Sequence, residues 1–133
     1  MSKNMEIEVN GETYQLVAGF GFLHEVNKRV TVDVPNTKNK KEVGLKFMVA
    51  SIMDGDIDAL VDCIFCMNIG QTPRLKKTDI ERYLEDVEDI DKVFEDVINF
   101  LSQANACKKE VKSLMTSMQE EEKEEKEEKE EKK

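Results

Sequence analysis

Long apolar runs are missing from this sequence, and histidine is nearly so, with His24 alone. No stretch approaches the roughly 18–20 apolar residues needed to cross a bilayer, so no spanning helix is expected. Met1-Ser2-Lys3-Asn4 lacks the apolar segment of a secretory signal. Cysteine is sparse and odd in number, three in 133 residues, which suits a reduced chain better than a disulfide scaffold. Positive charge is in deficit: 20 Lys+Arg against 29 Asp+Glu leave a net −9. An acidic balance opposes phosphate backbones and anionic lipid, so neither nucleic acid nor membrane is expected as a partner. Walker loops, dinucleotide fingerprints and Ser or Cys nucleophile motifs are all missing. No catalytic residue, metal site or cofactor is expected.

What is present begins with alternation. Met5-Glu6-Ile7-Glu8-Val9 alternates apolar and acidic residues, the period-2 pattern of a half-buried strand. Asn10-Gly11 tolerates the positive φ angles of a type I′ turn, and Glu12 to Val17 reads as the return strand. The two-residue loop sets Val9 opposite Glu12 and Ile7 opposite Tyr14, so Met5, Ile7 and Val9 share an apolar face with Tyr14 and Leu16. An isolated hairpin is marginal in water, so this one must lie on helices.

The rest reads as helices and loops. Leu23, Val26 and Val30 mark one side of a first helix, with Lys28 and Arg29 in its last turn. Residues 31–41 form a polar loop around Pro35. A second helix spans about Glu42 to Met53, and Gly55 and Asp56 separate it from a third that runs to about Asn68. Thr78 and Glu81 make a capping box for a short fourth helix through Leu84 and Val87. From Ile90, the heptad positions Val93, Val97, Phe100, Ala104, Cys107, Val111, Leu114 and Met118 are all apolar. They predict a long last helix of about 43 Å, with small Ala104 and Cys107 allowing close approach or a break. The expected fold is mainly α: an N-terminal β-hairpin on a bundle of about five helices over residues 1–118, followed by a Glu/Lys-rich acidic tail over 119–133. In that tail Glu122–Lys126, Glu125–Lys129 and Glu128–Lys132 are favourable i,i+4 pairs of about 0.2–0.5 kcal/mol each on a solvated helix or a disordered string.

Three motifs invite chemistry and fail. Cys63-x-x-Cys66 lies inside a predicted helix without a second pair, so buried inert thiols outweigh a redox or zinc site. Asp54, Asp56 and Asp58 imitate a calcium loop, but its sixth and twelfth positions are Ala59 and Phe65, leaving capping as their role. Gly19-Phe20-Gly21-Phe22 carries bulky rings and no Lys-Ser/Thr pair, so it reads as a bend driving two rings into the core.

Two features call for partners. The second and third helices spread apolar residues widely, which suits a central place in the bundle or packing on another subunit. Phe20, Phe22, Phe47, Met48, Met53, Phe65 and Met67 are the candidate client or self-association residues. Charge is also segregated. Lys28, Arg29, Lys38, Lys40, Lys41 and Lys46 against Asp33 and Glu42 make residues 28–46 +4, while nine acids against Arg82 and Lys92 make residues 79–96 −7. Lys38, Lys40 and Lys41 meeting Glu85, Asp86, Glu88 and Asp89 of another copy would give a polar head-to-tail contact and a homo-oligomer.

The hairpin around Asn10-Gly11-Glu12-Thr13-Tyr14, the Phe20-Gly21-Phe22-Leu23 helix start, the Asp54-Gly55-Asp56-Ile57 junction and Asp89-Ile90-Asp91-Lys92-Val93-Phe94 together resemble the tail assembly chaperones of siphovirus-type phages of Gram-positive hosts. The likeness covers about residues 5–105 and rests on order and spacing. It implies a non-enzymatic chaperone of the host cytoplasm that coats the long apolar tape measure protein, gives way to tail tube protein and is not in the mature virion. The family commonly makes a longer form by ribosomal frameshifting, and Glu-Lys codons ending at Lys132-Lys133 suit a slippery run of A. The rival expectation is an acidic adapter or structural protein that oligomerises through a C-terminal coiled coil.

Overall fold

Asn10 and Gly11 take φ angles of 54° and 79°, the left-handed pair that a type I′ turn requires. They join β1 (Met5–Val9) to β2 (Glu12–Leu16) with Met5 opposite Leu16, Ile7 opposite Tyr14 and Val9 opposite Glu12. The computed structural model describes the backbone of residues 5–131, and the side chains of these except 122 and 127–131. As the alternation predicts, Ile7, Val9, Tyr14 and Leu16 are buried while Glu6 and Glu8 face outward. The hairpin lies on helices, β2 against α3 (Ile57–Met67) and β1 against α4 (Lys77–Asp86).

Six helices follow among the described residues: α1 (Phe20–Asn27), α2 (Gly44–Met53), α3, α4, α5 (Ile90–Gln103) and α6 (Lys108–Glu131). The fold is mainly α, as expected. α2 packs on α1, α3, α5 and α6, and α3 packs on α1, α2 and α4, so these two widely apolar helices are central. Leu60, Cys63, Ile64 and Met67 of α3 are fully enclosed. At about 1.5–3 kcal/mol for each large side chain buried, α3 contributes more to the core than its length suggests.

Four expectations need correction. Residues 31–41 are not a plain loop: β3 (Thr31–Asp33) and β4 (Lys40–Glu42) form a second antiparallel hairpin. All six strand residues are exposed, so no apolar alternation announces them. The ladder and its turn hold them instead, with Asn36 at a φ of 64° and Val34 N–H donating to the Asn39 carbonyl at 3.0 Å. The Thr78–Glu81 capping box is not formed, because α4 starts earlier, with Lys76 as its N-cap and no side-chain cap bond. Leu75 at N′ and Ile80 at N4, both fully buried, have the spacing of a hydrophobic staple, and burying them fixes the helix start.

The third correction concerns the last helix. The apolar seam is not one rod: Ala104 leaves helical geometry, and α6 restarts at Lys108 with its N–H bonded to the Ala104 carbonyl at 2.8 Å. The break lets Cys107 and Val111 enter the core rather than run past it. α6 then continues without interruption through residue 131, so the start of the tail is helical. The pairs Glu122–Lys126, Glu125–Lys129 and Glu128–Lys132 each involve a side chain outside the described ones. The fourth correction is at the aromatic bend, where Phe22 is in the core but Phe20 is 64% exposed.

Candidate functional site

The α1–α2 junction is built on a close approach. An added Cβ on Gly44 would sit 1.9 Å from the Val26 carbonyl oxygen, so only glycine lets the two backbones touch there. Val43, the N-cap of α2, offers no side-chain cap, and Asn27 of the preceding helix supplies one, its Oδ1 accepting from Leu45 N–H at 2.9 Å. Beside this contact runs a groove of about 170 Å³, lined by Val26, Arg29 and Val30, by Gly44, Phe47, Met48 and Ser51 of α2, and by Ala59 and Asp62 of α3. That volume holds one or two side chains and falls well short of the roughly 300–1,000 Å³ of a small-molecule site. Phe47 lies on it with half its surface in water.

A charged cluster edges the groove. Asp62 accepts from Lys77 Nζ at 2.9 Å and lies 4.0 Å from an Arg29 nitrogen, while Arg29 Nη2 reaches Cys66 Sγ at 3.1 Å. Arg74 and Lys77 lie over the Phe65 ring, 4.5 and 5.2 Å from its centre. Phe65 is thus half-buried and roofed by cations rather than bare.

Of the apolar candidates, the structure brings Phe47 and Met48 together in the groove. Phe20 is exposed elsewhere, outside the groove lining, and Met53 packs half-buried against the core. Phe22 and Met67 are core residues, 6% and 0% exposed, and a partner cannot reach them in this conformation. Lys38, Lys40 and Lys41 stand on the exposed β3–β4 arm, and Glu85, Asp86, Glu88 and Asp89 are exposed at the end of α4 and in the α4–α5 link. Asp89 also caps α5, accepting from Lys92 N–H at 3.3 Å. Sequence reasoning missed Asn27, Gly44 and Asn68. Gly44 inside an otherwise apolar helical run was the readable signal; the two asparagines had none.

The three thiols are enclosed. Burial pushes Cys63 and Cys66 upward and Cys107 up to about 11, opposite to the direction a reactive thiolate needs. Alkylation of the folded protein at neutral pH is expected to be slow at all three, with full modification after unfolding, as followed by intact mass. Because the folded values are raised, their contribution to stability is complete below the ordinary thiol value and declines with rising pH, for Cys107 between pH 9.0 and about 11. Rapid native labelling would contradict this geometry. Among the described residues, no group of three or more His, Cys, Asp or Glu side chains is placed to hold a metal.

The family model described as "Phage tail assembly chaperone protein, TAC" matches residues 6–116. The chain belongs to the phage tail assembly chaperone family. No curated protein and no solved structure matches it. The matched span runs from the first hairpin into α6 and includes the groove and the β3–β4 arm. Tail assembly chaperones are not an enzyme family, in keeping with a surface whose distinguishing parts are an apolar groove and charge.

Proposed function

We propose that this tail assembly chaperone keeps the phage tape measure protein soluble while the tail assembles. It holds apolar helical segments of that client against the groove and self-associates along it. The observation that carries the reading is Phe47, half exposed over an apolar groove in a chain of a chaperone family. A helix laid in a groove docks its apolar face through side chains spaced three or four residues apart, and this volume admits one or two of them, the anchors of a single turn. The acidic end of α4 supports the self-associating part. Glu85 and Asp86 lie in its last turn with no basic residue there, a placement that costs about 0.3–1 kcal/mol each against the helix dipole. Sequences tolerate such costs where a surface serves a partner. Lys38, Lys40 and Lys41 of another copy are the proposed counterpart. The same reading puts the protein in the host cytoplasm, has tail tube protein take its place before the virion is complete, and includes a longer frameshifted form.

The rival coiled-coil adapter has little seam left. Val93, Val97, Cys107 and Val111 are buried within their own chain, Ile90, Phe100, Ala104 and Leu114 pack half-buried against the same core, and of the seam positions only Met118 is exposed.

Co-expression tests the proposal. With the wild-type chaperone, the tape measure protein encoded with it should stay in the soluble fraction. With Phe47→Asp, folded by circular dichroism because the site is exposed, most of it should move to the pellet. Equal solubility with both would overturn the groove assignment.

A further inference from the structure

We infer that, before client arrives, the apolar end of α6 from a second copy of this chain closes the groove beside Phe47. The inference rests on the groove being the client site and concerns how that site is kept covered.

α6 carries more apolar surface than its own body covers. Val111 is fully buried and Leu114 half-buried, but Met115 and Met118, three apart and so on one face, are 37% and 38% exposed. Beyond them lie only Gln119 and a run of Glu and Lys. The helix from Met115 to Glu131 extends about 25 Å onward, and no α6 residue lines the groove. Its own stripe therefore does not cover its own groove. Methionine is the side chain best able to fill a small irregular space, and the groove has room for one or two.

Charge fixes the occupant. Val30 and Gly44 line the groove, and the Val43 N–H donates to the Val30 carbonyl at 2.8 Å, closing the base of the β3–β4 arm. Apolar groove and lysine-bearing arm are therefore neighbours. In α6 the order along the helix is the same, an apolar stripe and then residues 120–131 with nine Glu against three Lys, a net −6. In the client-free state a helix that seats Met115 and Met118 in the groove can carry its acidic run beside Lys38, Lys40 and Lys41, and its displacement by client frees those lysines for the acidic end of α4 of another copy. Among the described residues no ion pair engages those three lysines within the chain. The contact joins two different patches, so it links copies head to tail.

Sedimentation velocity on the full chain tests this. The wild type should associate at low salt and dissociate as salt rises. Phe47→Asp and the double change Met115→Asp, Met118→Asp should each weaken association about tenfold or more. Their equimolar mixture should give a dimer and nothing larger, because one intact groove and one intact stripe remain. With its grooves uncovered, the methionine variant should also bind more of the dye ANS than the wild type. A wild type that stays monomeric at low salt, variants that associate as the wild type does, or a mixture without the dimer would overturn the contact. None of these readouts involves client. A monomeric wild type whose Phe47→Asp variant still loses client sinks only this contact, and an associating wild type whose variant keeps client sinks only the client assignment.

Discussion

Replacing Gly44 with alanine should lower the melting temperature by about 10 °C, although alanine is the better helix former. In a helix interior the exchange alone favours alanine by about 1 kcal/mol, and Gly44, the first residue of α2, would gain less than that. Here the added Cβ would lie 1.9 Å from the Val26 carbonyl oxygen, 2.8 Å from its carbonyl carbon and 3.1 Å from Asn27 Cα. All three are backbone atoms, so no side chain can rotate aside, and α1 must move away from α2. That movement also stretches the Asn27–Leu45 hydrogen bond that caps α2. Overpacking that shifts backbone costs about 3 kcal/mol, and a domain of this size loses roughly 4 °C per kcal/mol. Gly21 is the control: it is helical too, but a Cβ there meets nothing within 4 Å, so Gly21→Ala should leave stability unchanged or slightly raised. Thermal unfolding followed by circular dichroism reads both. A Gly44→Ala protein that melts with the wild type would mean that the helices do not meet at this residue. Because Gly44 and Val26 both line the groove, the same substitution should widen it and weaken client capture.

What the sequence disclosed follows from where its signals come from. The first hairpin was readable down to its register because half of its side chains are buried at period two and Asn10-Gly11 specifies its turn. The α2–α3 junction was readable because Gly55, at a φ of 86°, and Asp56, which accepts from Ala59 N–H at 3.2 Å, act on their immediate neighbours. The β3–β4 arm was hidden because its strands bury nothing, so no hydrophobic period marks them. At the start of α4, Leu75 and Ile80 outweighed a valid local cap, and at Ala104 the core's hold on Cys107 and Val111 outweighed a continuous heptad.

The candidate site divides the same way. Phe47 and Met48 were legible as apolar residues on a helix with too wide an apolar face. Nothing in the sequence separated them from Met67, which the same criterion chose and the core absorbs, whereas the aromatic bend already pointed Phe22 inward. That distinction depends on which helices neighbour α2 and α3. The groove itself exists only because α1 and α2 meet at Gly44 and α3 packs beside them, and the arm stands at its rim only because Val43 bonds to Val30. Long-range contacts of this kind carry no local signature.

Asn68→Ala should destabilise the protein by about 3–4 kcal/mol, and Asn68→Leu by nearly as much. Asn68 is the one fully buried polar side chain among the described residues, and its amide is saturated. Its Oδ1 accepts from Leu75 N–H at 2.6 Å and from Arg74 Nη1 at 2.9 Å, and its Nδ2 donates to the carbonyls of Gln15 at 3.0 Å and Pro73 at 3.3 Å. One side chain thereby ties the end of α3 to β2 and to the segment leading into α4, next to the bond from Val17 N–H to the Met67 carbonyl at 2.8 Å. Arg74 is exposed and can turn to water, but the Leu75 N–H is enclosed. A buried group left without its partner costs about 1–3 kcal/mol, and alanine would strand that N–H together with the Gln15 and Pro73 carbonyls. Leucine separates this cause from the cavity that alanine also creates. It restores the volume without restoring a single hydrogen bond, so lost polar contacts predict little recovery and a lost shape predicts nearly full recovery. Urea unfolding of the three proteins measures the difference, and hydrogen exchange locates it, with the Leu75 amide expected to lose protection first. If Asn68→Leu proves as stable as the wild type, the hub works by packing, and the link from α3 to the hairpin and to α4 must be sought in the apolar contacts around it.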